Sequence, residues 1–278
     1  MTDLAIHTYT ADELGIFANS YLLQTPDGVV LVDAGLRVSD GRAIAERAAA
    51  LDGPVLACFV THAHPDHFNG LPYAVGDDVP VYAGAAVAKT IAEIAEPKRE
   101  QWQPVYGSEW PDRYRIPEHL LGDGGAVELG GLRITLRELG AGESHADSYL
   151  MVEAGAERAA FIGDLAFGDL MHPYTADGHT GAWLALLDRL ERELAGVPLH
   201  PGHGAPADTG LLSAQRRYLL AFRQSVLRIA DGRPSLTEEQ KAELTRQMEA
   251  FLPQAALSWM VGLGADAVAR ELAEGAGG

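Results

Sequence analysis

Cysteine is almost missing from this chain: Cys58 is the single one in 278 residues. A lone thiol excludes an internal disulfide, a redox dithiol and every multi-cysteine zinc or iron–sulfur site. Positive charge is also scarce, with 21 Lys and Arg against 39 Asp and Glu and a formal net charge of −18. Such a polyanion is repelled by phosphate backbones and anionic bilayers, so neither nucleic acid nor a membrane is expected as a partner. No stretch approaches the roughly 18 uninterrupted apolar residues of a membrane span. The first ten residues lack a basic segment followed by an apolar one, and the expected location is therefore cytoplasmic. There is no Gly-x-Ser-x-Gly elbow, and Cys58 sits in an apolar run where a thiolate is disfavoured, so a serine or cysteine nucleophile is not expected.

What is present is ample core material, 47% hydrophobic residues, arranged as strands first and helices last. Tyr21–Thr25 and Val29–Asp33 flank Pro26-Asp27-Gly28, the signature of a hairpin. Asp40–Leu51 reads as a helix, stopped by Gly53-Pro54 before the buried-type run Val55–Val60. Val127–Leu129 and Leu132–Leu136 around Gly130-Gly131 predict a second hairpin, with further strands at Tyr149–Glu153 and Ala159–Ile162. Thr180–Leu194 is helical, with Trp183, Leu184, Leu187 and Leu190 on one face. Two sheets covered by helices suit this order. From Asp208 on, the pattern is helical throughout, ending in a Gly275–Gly278 tail expected to fray. The segment Lys98–Arg115 carries Trp102, Tyr106, Trp110 and Tyr114 and is read as an irregular loop, broken by Pro104 and Pro111, that either covers a substrate or is pinned to the core.

Directly after the Val55–Val60 strand comes Thr61-His62-Ala63-His64-Pro65-Asp66-His67. Three imidazoles and a carboxylate within six positions at a strand end suit Zn²⁺, Fe or Mn. Neighbouring side chains here point apart, so one ion cannot use all four, whereas two ions a few ångströms apart can. Further ligands are then required, and three places qualify: Ser144–Ser148, Phe161–Asp164 and His200–Gly204, each beside an expected strand.

At this point the chain resembles the metallo-β-lactamase superfamily. The resemblance runs from about residue 19 to 205. It rests on an ordered series: Asn19-Ser-Tyr-Leu22, Leu31-Val-Asp33-Ala-Gly35, His62-x-His64-x-Asp66-His67, His145, Gly163-Asp164 and Gly202-His203-Gly204. It implies an α/β fold, a four-layer αββα sandwich, here with a C-terminal helical extension; residues 1–208 would form the catalytic domain and 209–278 the extension packed on it. Carried over residue by residue, it implies His62, His64 and His145 on one metal, Asp66, His67 and His203 on a second, and Asp164 bridging both. His145 is taken for the third ligand because it precedes the Ser-Tyr-Leu strand, although Ser144-His-Ala-Asp-Ser148 departs from the family's usual Gly-His-Thr-x-Gly-Ser. Asp33 would lie beneath the His-rich loop, orienting ligands without being one. Asp147 is read as a turn residue and His200 as structural, while His172 and His179 fall near the implied mouth of the site.

The implied chemistry is hydrolysis of an ester, lactone, thioester or amide by hydroxide shared between two zinc ions, with Fe or Mn as other candidates and Asp66 carrying a proton to the leaving group. Asp164 and the missing leader disfavour β-lactam hydrolysis as the role. Phe167 stands where the family's lactonases usually place a tyrosine, which weakens a lactonase-like reading without excluding it. The alternatives are a mononuclear iron persulfide dioxygenase on His62, His145 and Asp164, and a phosphodiesterase or nuclease, which the acidic charge opposes. Arg216, Arg217, Arg223 and Arg228 form a basic helix face that pairs with acidic neighbours or anchors an anionic substrate. The expected partner is a small-molecule substrate, and the apolar Phe251, Leu252, Trp259 and Met260 add a homodimer as an expectation.

Overall fold

A computed structural model describes residues 4–275; of the tail expected to fray, residues 276–278 lie outside them. The first sheet contains β1 (Ala5–Thr10), β2 (Asn19–Thr25), β3 (Gly28–Val32), β4 (Val55–Phe59), β5 (Val81–Gly84) and β6 (His119–Leu121), in that spatial order. Its first three strands are antiparallel, and β3 to β6 run parallel. The crossovers are α1 (Val38–Ala49), the short α2 (Pro65–Phe68) and α3 (Leu71–Ala74), and α4 (Ala85–Tyr106). The second sheet holds β7 (Ala126–Leu129), β8 (Leu132–Gly140), β9 (Asp147–Ala154), β10 (Glu157–Gly163) and β11 (Leu199–Pro201) in the order β11-β10-β9-β8-β7. Between β10 and β11 runs α5 (Thr180–Glu193), and α6 (Gly210–Ala230), α7 (Glu238–Phe251) and α8 (Trp259–Gly275) complete the chain.

Side-chain alternation sorts the layers. In β2, Tyr21 and Leu23 face the second sheet, packing with Phe59, Ile134, Leu150 and Phe161, while Leu22 between them joins Ile44 and Ile91 of the covering helices. The outer face of the second sheet, Tyr149, Met151, Ala160 and Ile162, is covered by Trp183 and Leu187 of α5 and Leu212 and Leu219 of α6. The result is the expected αββα sandwich. Each large side chain enclosed in this way stabilises the fold by about 1.5–3 kcal/mol before entropy is counted. The last three helices close a further apolar cluster through Phe222, Val226, Leu244, Met248, Val261 and Val268. Among the described residues no helix is long and apolar enough to cross a membrane.

One element differs from the sequence expectation. The aromatic segment beginning at Lys98 is helical as far as Tyr106, the second half of α4, and the helix passes through both Pro97 and Pro104. A proline removes one i−4 hydrogen bond. The segment is tied to its neighbours by Lys98 Nζ to the Tyr174 hydroxyl, Trp102 against Trp259 and Arg99 over Tyr114, while Lys98, Trp102 and Tyr106, at four-residue spacing, line one cleft.

Candidate metal centre

The ligand-type side chains converge because the chain leaves both sheets at one edge. At the C-terminal end of β4, Val60 and Thr61 lead into the His-rich loop, and Pro65 opens α2 as its first residue, where a missing N–H costs nothing. Asp164 follows the last residue of β10, and His203 follows β11 by two. Asn19 at the start of β2 ties the two sheets together here: its N–H donates to Gly202 O at 2.7 Å, and its Nδ2 donates to Pro201 O at 3.0 Å and Gly204 O at 2.7 Å.

Two groups of buried donor atoms result: His62, His64, Glu143 and Asp164, and Asp66, His67, Asp164 and His203. In each group the ligand atoms lie within 4.8 Å of one another, and Asp164 belongs to both. In the second group His67 Nε2 is 3.2 Å from both Asp66 Oδ2 and Asp164 Oδ1, and His203 Nε2 is 3.1 Å from Asp66 Oδ2 and 3.2 Å from Asp164 Oδ2. In the first, His62 Nε2 is 3.7 Å from Asp164 Oδ2 and 3.8 Å from Glu143 Oε2, and His64 Nδ1 is 3.0 Å from Glu143 Oε2.

The structure thus gathers six of the seven residues expected as ligands, His62, His64, Asp66, His67, Asp164 and His203, and leaves the seventh outside. His145 is 52% exposed, with Nδ1 at 2.8 Å from His179 Nε2. The cause is local. Ser144 N and Oγ both bond the Asp147 carboxylate, and Ala146 N donates to Ser144 Oγ, which tightens the turn before β9 so that Glu143 points inward and His145 outward. Glu143, fully buried, takes the place that the sequence reading assigns to His145, and that reading does not foresee it. A signal for it exists, a carboxylate two residues upstream in the same pre-strand turn. Asp147 is a turn residue as expected, its carboxyl pushed up to about 6 by burial.

Each histidine of the His-rich loop has a partner for its other ring nitrogen. Asp33 Oδ2 is 2.9 Å from His67 Nδ1, Thr61 Oγ1 is 3.0 Å from His62 Nδ1, and Asp177 Oδ2 is 3.2 Å from His64 Nε2. Such partners fix ring orientation and tautomer. Burial favours the neutral ring at His62, lowering its pKa well below the ordinary value, and the neighbouring His67 acts in the same sense. At His64 and His203 burial works in that direction too, but carboxylates outweigh it: Glu143 and Asp177 raise His64, and Asp164 and Asp66 raise His203 to about 9. Burial would raise Asp66, yet His67 and His203 hold its carboxyl well below the usual range.

The fit to divalent cations can be tested on these atoms. His62 Nε2, His67 Nε2, both Glu143 oxygens and Asp164 Oδ1 are buried and make no well-aligned hydrogen bond, close as their neighbours stand. Orphaned donors and acceptors at this density cost several kcal/mol, roughly 1–3 each, unless an ion binds them. Imidazole and carboxylate oxygen are the donor set of Zn²⁺, Fe and Mn. Gly202 leaves the necessary room: a Cβ there would lie 2.7 Å from His67 Cε1 and closer still to Asp164 Oδ1.

Above the donors opens a cleft. His64, Asp66, Asp164 and His203 contribute its floor, and its walls include Phe167, Tyr174, the α4 aromatics and Trp259 and Met260 of α8. Phe167 stacks on His203 with ring centroids 5.1 Å apart. The remaining histidines lie elsewhere: His200 stacks on Phe161 at 4.8 Å, and His172 Nδ1 meets the Tyr218 hydroxyl at 2.9 Å. Arg216 pairs with Asp188 and Arg223 with Glu271, which accounts for half of the basic face on α6. Of the four apolar residues that suggested a dimer, Trp259 and Met260 line the cleft and Leu252 packs on the helical cluster, while Phe251 stays exposed.

Fold and site together define an αββα sandwich with two adjoining groups of metal-type ligands at one sheet edge. The chain belongs to the Metallo-beta-lactamase superfamily, whose profile matches residues 15–203. A beta-lactamase domain protein from Burkholderia ambifaria superposes with a TM-score of 0.67 at 20% identity, covering 99% of this chain and 89% of that one. TTHA1623, solved in a di-iron-bound form, matches at 28% identity with a TM-score of 0.57, over 76% of this chain and 99% of that one. In sequence, a linear primary-alkylsulfatase from Pseudomonas sp. (strain ATCC 19151) is 36% identical over 58 residues. That match spans 20% of this chain and only 11% of the relative.

Proposed function

We propose that the chain is a dinuclear metal-dependent hydrolase of a small carbonyl substrate: an ester, lactone, thioester or amide. The observation that carries this reading is the pair of buried four-residue groups sharing Asp164 at the floor of a cleft. His62, His64, Glu143 and Asp164 would hold one ion and Asp66, His67, Asp164 and His203 the other. Bound there, divalent cations would supply hydroxide at neutral pH, by lowering a water pKa from about 15.7 toward 7, and would polarise the bond to be cleaved. Zinc suits the ligands; iron does too, and TTHA1623, which carries two irons, supports that choice.

The chain's own groups do the rest. Asp33, Thr61 and Asp177 hold the three loop imidazoles with one nitrogen turned to the ions. Asp66 keeps its charge; with Oδ2, beside His67 Nε2 and His203 Nε2, directed at the same ion position, its Oδ1 would be left to accept a proton from water and hand it to the leaving atom. Phe167 and Tyr174 narrow the cleft and limit the access of bulk water.

A sulfate ester as the scissile group is a second reading, supported by the alkylsulfatase relative. A mononuclear iron dioxygenase has less support, because its set requires His145 beside His62 and Asp164 and His145 is turned out to His179. Phosphodiester cleavage of nucleic acid is opposed by the charge of −18. Elemental analysis followed by a panel of aryl esters, lactones, thioesters, alkyl sulfates and phosphodiesters tests the reading. Turnover of a carbonyl or sulfate ester that chelation abolishes supports it, and inactivity of the metal-loaded protein on all five classes overturns it.

A further inference from the structure

The cleft is built from two sources. Its polar floor lies within the family-matched residues 15–203, whereas part of its wall comes from α8, beyond that match, and faces α4 across the mouth. Trp102 of α4 and Trp259 of α8 meet there with ring centroids 6.2 Å apart. Tyr106, Met171, Met260 and Leu263 add apolar lining to the same cleft that His64, Asp66, Asp164 and His203 of the candidate metal centre line. Among the described residues Lys98 is the only Lys or Arg lining the cleft, and its Nζ is drawn to Tyr174, 3.4 Å from the hydroxyl and 5.6 Å from the ring centroid. Trp259 is 49% exposed and Leu263 39%, although both are large and apolar. A wall of this kind lies idle against water unless a ligand covers it.

Resting on the hydrolase reading above, we infer that the Trp102–Trp259 pair forms an acyl- or alkyl-chain subsite, so that the preferred substrate carries a flexible apolar chain on the bond cleaved at the metal centre. Wall and floor line one cleft, so the occupant is the non-reacting part of the same molecule. The two indoles come from different helices, and their rings are tilted by 54°. Packed together at that angle they present one bent apolar surface, which a flexible chain can follow better than a flat polycycle.

The test uses the purified full-length, metal-loaded protein in two arms. In the first, KM is measured for p-nitrophenyl esters from acetate to decanoate. KM should fall with each added methylene, by up to about fourfold, the factor that corresponds to ~0.8 kcal/mol per buried CH₂, until the subsite is full. The dependence should flatten in Trp102→Ala and in Trp259→Ala, and persist in Val105→Ala, a control on the exposed side of α4. In the second arm, linear alcohols from butanol to decanol, which cannot be hydrolysed, are titrated against tryptophan fluorescence, and affinity should rise with chain length in the same progression. A KM and an alcohol affinity that are both indifferent to chain length overturn the subsite. Graded alcohol binding without hydrolysis of any ester keeps the subsite and removes the hydrolase reading instead.

Discussion

Asp33 Oδ2 lies 2.9 Å from His67 Nδ1, and the same carboxylate accepts from Thr61 N–H and Thr61 Oγ1–H, each at 2.9 Å. Asp33 holds φ at +61°, a left-handed conformation that an aspartate tolerates better than most residues. The carboxylate therefore does two things: it fixes the start of the His-rich loop, and it keeps the His67 proton on Nδ1 so that Nε2 is free to bind an ion. Asp33→Asn should preserve the fold and weaken metal binding at the second group by about 10–100-fold. A competition titration with a chromophoric chelator reads that change directly, and unaltered affinity would show that Asp33 does not act on the ion.

Glu143 and His145 separate structure from sequence expectation most sharply. Glu143→Ala should remove one ion of two, whereas His145→Ala should leave metal content unchanged, since its ring is directed to His179. Metal-to-protein ratios of the two variants settle the ligand, and the reverse pattern would restore His145 to the site.

Gly202 sits where a methyl group would collide with His67 Cε1 and the Asp164 carboxylate. Gly202→Ala should lower the metal content of both groups, because Asp164 is shared, and should cost at least about 1–3 kcal/mol through overpacking of a filled site. Calorimetric melting together with metal analysis reports both effects. A variant with full metal content would show that the turn can move aside.

His200 supplies the pH dependence. Buried against Phe161 and Tyr21, its pKa is pushed down to about 4, whereas in the unfolded chain it is about 6.5. The folded value is the lower, so the unfolded state takes up the proton first. Stability from this group is complete above pH 6.5 and is lost as the pH falls from there through 4, by about 1–3 kcal/mol in all. His200→Phe should flatten that part of the stability profile while leaving metal content intact. Equal acid sensitivity in variant and wild type would assign the loss to other groups.

Much of the site is legible in the sequence, and the boundary has a physical basis. The donors His62, His64, Asp66 and His67 are close in sequence, and Asp164 and His203 each follow a strand-edge motif, so their convergence at a sheet edge can be read in advance. Glu143 cannot, because whether a pre-strand turn points residue 143 or 145 inward depends on the Ser144–Asp147 bonds, which periodicity does not reveal. Pro104, read as a helix breaker, conceals the second half of α4, although the four-residue spacing of Lys98, Trp102 and Tyr106 marks one helical face. A strand before His203 is expected, but β11 is only three residues long, and its parallel place beside β10 is fixed by the sheet rather than by its own pattern.

The central claim is that two ions share Asp164. It is tested most directly by counting metal per chain in the wild type and in Asp164→Ala, with ester hydrolysis followed before and after exhaustive chelation. Two ions per wild-type chain are expected, with loss of both from high-affinity binding in the variant, and activity that disappears on chelation and returns with added zinc or iron. A single ion per chain unaffected by Asp164→Ala, or undiminished turnover in the metal-stripped protein, would contradict it.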